Sequence, residues 1–300
     1  MIRIGVDLGG TKTEVAAIDS GGQTRYSARK PTPRVYESII QLIASLVRSA
    51  EESIGSDSLS VGIGHPGSLN PVTGLMRNAN SSDLNGHPFD KDLEAELGRP
   101  VRCANDANCF ALSEATDGAG ERAKSVFGVI LGTGVGGGLV LDGKIHEGHG
   151  LIGGEWGHTS LPWPTINEVP GPTCKCGLSG CLESWISGPA FAQAHLRAFG
   201  ENLTNDQIVA NAESGDTNAI KSLDCYYDRL ARGLATVINI VDPELIVLGG
   251  GMSNIPNLSM ETEKRLPRYV FSDQMTTRTV DNVHGDSSGV RGAAWLWPLV

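Results

Sequence analysis

Asn105 and Asp106 occupy a short polar stretch, Ala104-Asn105-Asp106-Ala107-Asn108, between Val101-Arg102-Cys103 and the apolar run Phe110-Ala111-Leu112. The pattern delivers an amide and a carboxylate to the point where a strand gives way to a helix. A carboxylate there suits a general base. It equally suits a helix cap, because Asn and Asp side chains accept from the first unpaired N–H groups of a helix. Three glycine-rich loops and a Cys/His cluster elsewhere in the chain favour chemistry.

The cluster follows Gly153-Gly154-Glu155-Trp156-Gly157-His158 and runs Cys174-Lys175-Cys176-Gly177-Leu178-Ser179-Gly180-Cys181-Leu182-Glu183. One imidazole and three thiolates make an N/S ligand set for tetrahedral Zn²⁺. The alternative is free thiols beside an unrelated histidine. With His158, Cys174, Cys176 and Cys181 all on the ion, no position remains for a reacting water. The Zn²⁺ is therefore expected to be structural, pinning the loop that carries Glu155, His158 and Glu183. Cys103, Cys109 and Cys225 are scattered and read as small buried hydrophobes. Disulfides are disfavoured without a secretory signal.

The glycine loops share a form. Ile2, Ile4 and Val6 alternate with Arg3, Gly5 and Asp7, and Leu8-Gly9-Gly10-Thr11-Lys12-Thr13 leads into Val15-Ala16-Ala17-Ile18. This is strand, turn, strand, and not the strand-to-helix phosphate loop with its Gly-Lys-Ser/Thr. A turn of bare backbone N–H groups at Gly9, Gly10, Thr11 and Lys12 still cradles phosphate. Asp7 at the strand end can hold Mg²⁺ through its water shell. An ordinary hairpin is the plainer reading of this turn taken alone. A second copy, Val126–Leu131, Gly132-Thr133-Gly134 and Leu139–Leu141, lies about 120 positions on and suggests a duplicated unit. A third strand, Leu245–Leu248, ends in Gly249-Gly250-Gly251, where a flat adenine or ribose can approach the backbone.

The remaining pattern is scaffold. Ile39, Ile40, Ile43, Leu46, Val47 and Ala50 recur at helical spacing after the break Lys30-Pro31-Thr32-Pro33. Leu59, Val61 and Ile63 lead to a turn, Gly64-His65-Pro66-Gly67. Asn70–Pro88 reads either as a solvated loop or as a substrate loop of amides and hydroxyls, with Gly67 and Asn80 on the substrate side. Leu230, Leu234, Val237, Ile238 and Val241 form a helix stopped at Asp242-Pro243, and Val290, Ala293, Ala294 and Trp297 a last one. Among 300 residues, 40% are hydrophobic, enough for two lobes. The formal charge of −10 opposes a nucleic-acid or anionic-membrane partner. No signal peptide or membrane-length apolar run is read, so the expected location is cytoplasmic.

Together, Asp7-Leu8-Gly9-Gly10-Thr11-Lys12, Asn105-Asp106, Glu155-x-Gly-His158, Cys174-x-Cys176-Gly-x-x-Gly-Cys181-x-Glu183 and Leu248-Gly249-Gly250-Gly251 resemble the ROK (repressor, open reading frame, kinase) family across essentially the whole chain. The closer likeness is to its bacterial fructokinase or manno(fructo)kinase group. It rests on Asn78-Ala79-Asn80-Ser81, Leu84-Asn85-Gly86, Pro88–Leu93 and the tail His284–Trp295. His65 and Gly153 depart from the usual aliphatic residue and alanine.

The resemblance implies an α/β, two-lobed actin/hexokinase-like (ribonuclease H-like) ATPase fold with a cleft between lobes, usually in a homodimer. Residues 1–118 with 289–300 would form the smaller lobe and 119–288 the larger. It implies an ATP- and Mg²⁺-dependent hexose kinase, with fructose as the leading sugar and N-acetylglucosamine, mannose or glucose as alternatives. Asn105, Asp106, Glu155, His158 and Glu183 would hold the hexose, and Asp106 would act as base. A different class, a sugar-sensing repressor of the same family, would carry a DNA-binding segment ahead of the first phosphate turn, which here begins at Asp7. A catalytically dead sugar-binding module is a third reading, opposed by the intact Asn105-Asp106 pair and both glycine turns.

Overall fold

The first strand, β1 (Ile2–Leu8), is buried continuously from Arg3 to Val6, on both faces and not in the alternation its apolar spacing suggests, and the Gly9-Gly10 turn returns the chain as β2 (Lys12–Asp19). A computed structural model describes residues 1–80 and 82–298 of the protein. The chain continues through β3 (Thr24–Pro31), α1 (Tyr36–Ile54), β4 (Ser60–His65), β5 (Ser68–Leu69), β6 (Met76–Arg77), α2 (Phe89–Leu97), β7 (Val101–Asn105) and α3 (Asp106–Asp117). These strands form a sheet ordered β3-β2-β1-β4-β7, plus the small pair β5-β6. The β1–β2 pairing is antiparallel, and β1–β4 and β4–β7 are parallel. Central parallel strands are covered on both faces, and Val61–His65 of β4 are accordingly all buried. The apolar stripe of α1, including Ile39, Ile43 and Leu46, packs into this core. Gly55 ends the helix in the left-handed conformation that glycine adopts freely.

The second set begins with β8 (Ser125–Leu131), β9 (Val135–Leu141) and β10 (Lys144–Ile145). Helices α4 (Glu183–Ile186), α5 (Gly188–Phe199), α6 (Asn205–Glu213) and α7 (Thr217–Val241) follow, then β11 (Leu245–Gly249), α8 (Leu258–Glu263) and β12 (Arg278–Asp281). The sheet order is β10-β9-β8-β11-β12, with β8–β11 and β11–β12 parallel. This is the order of the first sheet repeated, so the duplication read from the two glycine turns extends to the topology.

The chain divides into two units, Met1–Arg122 with Gly138–Gly154 and Val283–Val300, and Ala123–Gly137 with Glu155–Asn282. Residues 138–154, taken from sequence as part of the larger lobe, thus group with the first unit. The last helix, α9 (Ser288–Trp295), belongs to the first unit too. Ser81 and positions 299 and 300, which the sequence reading included in a motif and in the last helix, lie outside the described residues. Helix α9 sits flush on the first sheet because glycines clear its path. A Cβ at Gly62 would stand 1.8 Å from the Ala293 carbonyl oxygen, and one at Gly5 2.0 Å from that of Val290.

One element was not read from sequence, and one reading needs correcting. The stretch ahead of Pro31 is an edge strand, β3, whose mostly exposed residues carry no apolar alternation to announce it. Cys225 is exposed, not buried, whereas Cys109 is buried as expected. Among the described residues no helix is long and apolar enough to cross a membrane.

Candidate active site

In the first unit the glycine turn is closed by the Gly9 N–H donating to the Lys12 carbonyl at 3.0 Å. A Cβ on Gly9 would meet that same oxygen at 2.8 Å, so glycine is required by proximity. Thr32 braces the turn from β3's end: its hydroxyl donates to the Gly9 carbonyl at 2.8 Å, and its N–H to that of Thr11 at 3.0 Å. Asp7 stands just below. Burial, then the negative charge of Asp106, raise its carboxyl to about 7. A buried carboxyl beside a second acidic side chain fits a hard divalent cation, whose charge would offset both burdens on Asp7.

Asn105 ends β7 and caps α3. Its Oδ1 accepts the Ala107 N–H at 2.9 Å, and its Nδ2 donates to the Gly67 carbonyl at 3.0 Å. The cap alternatives left open by sequence are thereby divided: Asn105 caps, and Asp106 follows as the first helical residue. Asp106 Oδ1 also accepts from the Ala107 N–H, at 2.8 Å. The Asp106 side chain is exposed. Gly67 holds φ +75°, and a Cβ there would lie 2.4 Å from the Arg77 carbonyl oxygen. His65, just before this turn, is buried edge-on against Phe89, and burial lowers its pKa to about 4. Asn80 is exposed beside Ala79, whose backbone is held at both N–H and carbonyl by the Asn85 amide.

In the second unit the Gly132 N–H donates to the Gly134 carbonyl at 2.9 Å, and Thr133 at the tip is exposed. A cavity of about 800 Å³ opens beside this turn, lined in part by Gly132, Thr133, Gly188, Asn205, Gly251 and Met252. Of the third glycine run, Gly249 ends β11 buried. Gly250 takes φ +82° against Leu131, and Gly251 reaches the cavity.

The Cys/His set also assembles here. Candidate ligand atoms of His158, Cys174, Cys176 and Cys181 all lie within 4.8 Å of one another. The His158 Nδ1 to Cys174 Sγ distance is 3.5 Å, and Cys176 Sγ to Cys181 Sγ is 3.6 Å. Ligand atoms on a tetrahedral zinc are about 3.5–3.8 Å apart, given Zn–N and Zn–S bonds near 2.0–2.3 Å, so the donors fit this ion. Burial and the neighbouring thiols push Cys181 up to about 12, a penalty a bound cation would remove. His158 closes a 3₁₀ turn, Trp156–His158, with the exposed Glu155 before it, and its N–H donates to the Glu155 carbonyl at 3.2 Å. Trp156 Nε1 anchors this turn on the Gly136 carbonyl at 3.0 Å.

The sequence profile of the ROK family matches residues 3–299. The chain belongs to the ROK family. N-acetyl-D-glucosamine kinases of Escherichia coli are 41% identical over 297 residues, covering 97% of this chain and 98% of theirs. A ROK hexokinase from Thermus thermophilus superimposes with a TM-score of 0.86 at 31% identity, over 98% of this chain and 97% of that one. A ROK family glucokinase from Streptomyces griseus, in complex with glucose and AMPPNP, gives 0.79 at 29% identity over 99% of each chain. The α/β actin/hexokinase-like fold implied by the resemblance is the fold this ROK protein adopts.

Several neighbours of these residues were not singled out from sequence. Thr32, Gly188, Asn205 and Met252 each touch a turn or the cavity through folding alone. The Ser187-Gly188-Pro189 and Thr204–Gln207 patterns do announce helix starts, and Ser187 and Thr204 are indeed caps. Nothing in them says which loop the helix starts will meet.

Proposed function

We propose that this ROK protein is an ATP-dependent kinase of N-acetyl-D-glucosamine, transferring the γ-phosphoryl group to the 6-hydroxyl. The observation that carries the reading is the 41% identity to N-acetyl-D-glucosamine kinases over 97% of the chain. The fructose reading finds no such support among these relatives, and the N-acetylglucosamine alternative takes its place.

Phosphoryl transfer proceeds through a loose transition state, so positioning and charge stabilisation supply most of the rate. Asp106 orients the 6-hydroxyl and accepts its proton late, since a carboxylate near 3.9 is far too weak a base to remove it beforehand. Asn105 fixes the start of α3 on the Gly67 turn, so Asp106 is presented from a rigid element. With the Gly9 and Gly132 N–H groups closing the two turns, Gly10–Lys12 and Thr133–Gly134 offer backbone N–H groups to the phosphates, while Gly249–Gly251 and the cavity beside Thr133 take the nucleoside. Mg²⁺, when bound, neutralises phosphate charge, and Asp7 is the residue that would hold it. Asn80, Glu155, His158 and Glu183 are assigned to sugar hydroxyls, and His158 also to the Zn²⁺.

A coupled ADP-release assay across a hexose panel tests this. N-acetyl-D-glucosamine should give the highest kcat/KM, at least tenfold above fructose, mannose and glucose. A clear preference for fructose would restore the other assignment. Sugar binding without turnover on any member of the panel would favour the repressor class.

A further inference from the structure

Glu183 is assigned above to the sugar, yet its carboxylate is already engaged elsewhere. Oε2 accepts the buried Val135 N–H at 3.0 Å, and Val135 is the residue that follows Gly132-Thr133-Gly134. Gly134 leaves room for it: a Cβ there would stand 2.7 Å from the same oxygen. Five residues on, the Gly188 N–H donates to the Gly132 carbonyl at 2.8 Å. Both ends of the turn are therefore tied to one segment, 183–188, which contains α4 and the start of α5. The other oxygen, Oε1, faces the Cys/His loop, 3.4 Å from Lys175 Nζ and 3.9 Å from Cys174 Sγ.

We infer that Glu183 is a positioning residue for the nucleotide, setting the second phosphate turn through the Val135 N–H and linking that turn to the Cys₃His loop. The inference rests on the kinase reading, because it assigns the turn to phosphate. Its physical basis is the cost of the alternative. A buried N–H left without an acceptor is costly, and the turn relaxes to recover a partner. The exposed half of the arrangement counts for less: Lys175 is 51% exposed in its side chain, and ion pairs of that kind contribute little. The hydrogen-bond acceptor at this point, more than its charge, is what the turn needs.

The test is AMPPNP binding by calorimetry in the absence of sugar, on the zinc-loaded full chain. Glu183→Ala should weaken AMPPNP about tenfold or more, whereas Glu183→Gln, whose amide oxygen still accepts from Val135, should stay within about threefold. Gly134→Ala, which displaces the carboxylate from the opposite side, should reproduce the loss while retaining about one zinc per chain. It carries the test if Glu183→Ala fails to fold. AMPPNP affinity within twofold of the parent in both Glu183→Ala and Gly134→Ala would overturn the inference and leave Glu183 a sugar contact only. Absence of AMPPNP binding by the parent protein would instead overturn the kinase reading, and this inference with it.

Discussion

At the scale of single residues, type and spacing single out Asp106, the Cys/His set and the glycines of both turns as candidates, and the structure brings the Cys/His ligand atoms within 4.8 Å of one another. What the spacing could not supply was partnership. Asn105 and Asp106 competed for one role on paper, and the backbone separates them, with Asn105 as the cap and Asp106 as the first helical residue. Glu183 likewise looked like a sugar ligand, with no hint that Val135 uses it. At this scale the zinc reading gives a direct expectation. Metal analysis should return about one Zn²⁺ per chain, and Cys176→Ser should lose both the ion and thermal stability, since binding free energy at such sites is folding free energy. Full activity from metal-free protein would contradict it.

Among elements, helices with strong apolar periodicity were readable and edge pieces were not. Helix α1 follows its Ile and Leu spacing, while β3 has only a sheet neighbour to define it. Helix α9 was foreseen, but its fit depends on glycines in other strands. Gly62→Ala should therefore destabilise the protein by about 2–3 kcal/mol or more, because the helix must move away from β4. Gly21→Ala, where the added carbon meets only the Asp19 carboxylate at 3.4 Å, should leave the urea midpoint nearly unchanged. Equal effects would mean that α9 does not rest on Gly62.

A second element-scale test concerns the segment that follows the 3₁₀ turn at His158. Glu168 fastens it to α7 through Arg232 at 2.9 Å and Arg229 at 2.8 Å. Burial alone would raise the Glu168 pKa, but bonds from Arg232, the Thr165 N–H and Arg229 prevail and lower it to about 2. A depressed pKa means the unfolded chain binds the proton more tightly, so the stabilisation is complete above about pH 4.5 and fades as pH falls toward 2. Glu168→Gln should cost less near neutrality than the roughly 3–5 kcal/mol of a buried charge left wholly unpaired, because Arg232 keeps Asp228 at 3.0 Å as counter-charge. The gap to the parent protein should narrow below pH 4.5. A gap independent of pH would show that the charge is not what holds the segment.

For the whole molecule, sequence revealed a repeat where structure reveals two sheets of matching strand order, β3-β2-β1-β4-β7 and β10-β9-β8-β11-β12. Two similar glycine turns sufficed to suggest this, because each sits at the same place in its sheet. The unit boundary was less visible: residues 138–154 return to the first unit without any change in composition. The choice of sugar was less legible still. The motifs that carry the chemistry belong to the family as a whole, and the residues that separate one hexose from another have no fixed chemical signature.

The most direct test is the turnover of Asp106→Asn on N-acetyl-D-glucosamine, with AMPPNP and sugar affinities measured in parallel. The account predicts both affinities within a few-fold of the parent and kcat lower by about 10²–10⁴, the contribution of a positioned acid–base group. A variant that binds both substrates and turns over within tenfold of the parent would remove Asp106 from the reaction and contradict the site proposed around it.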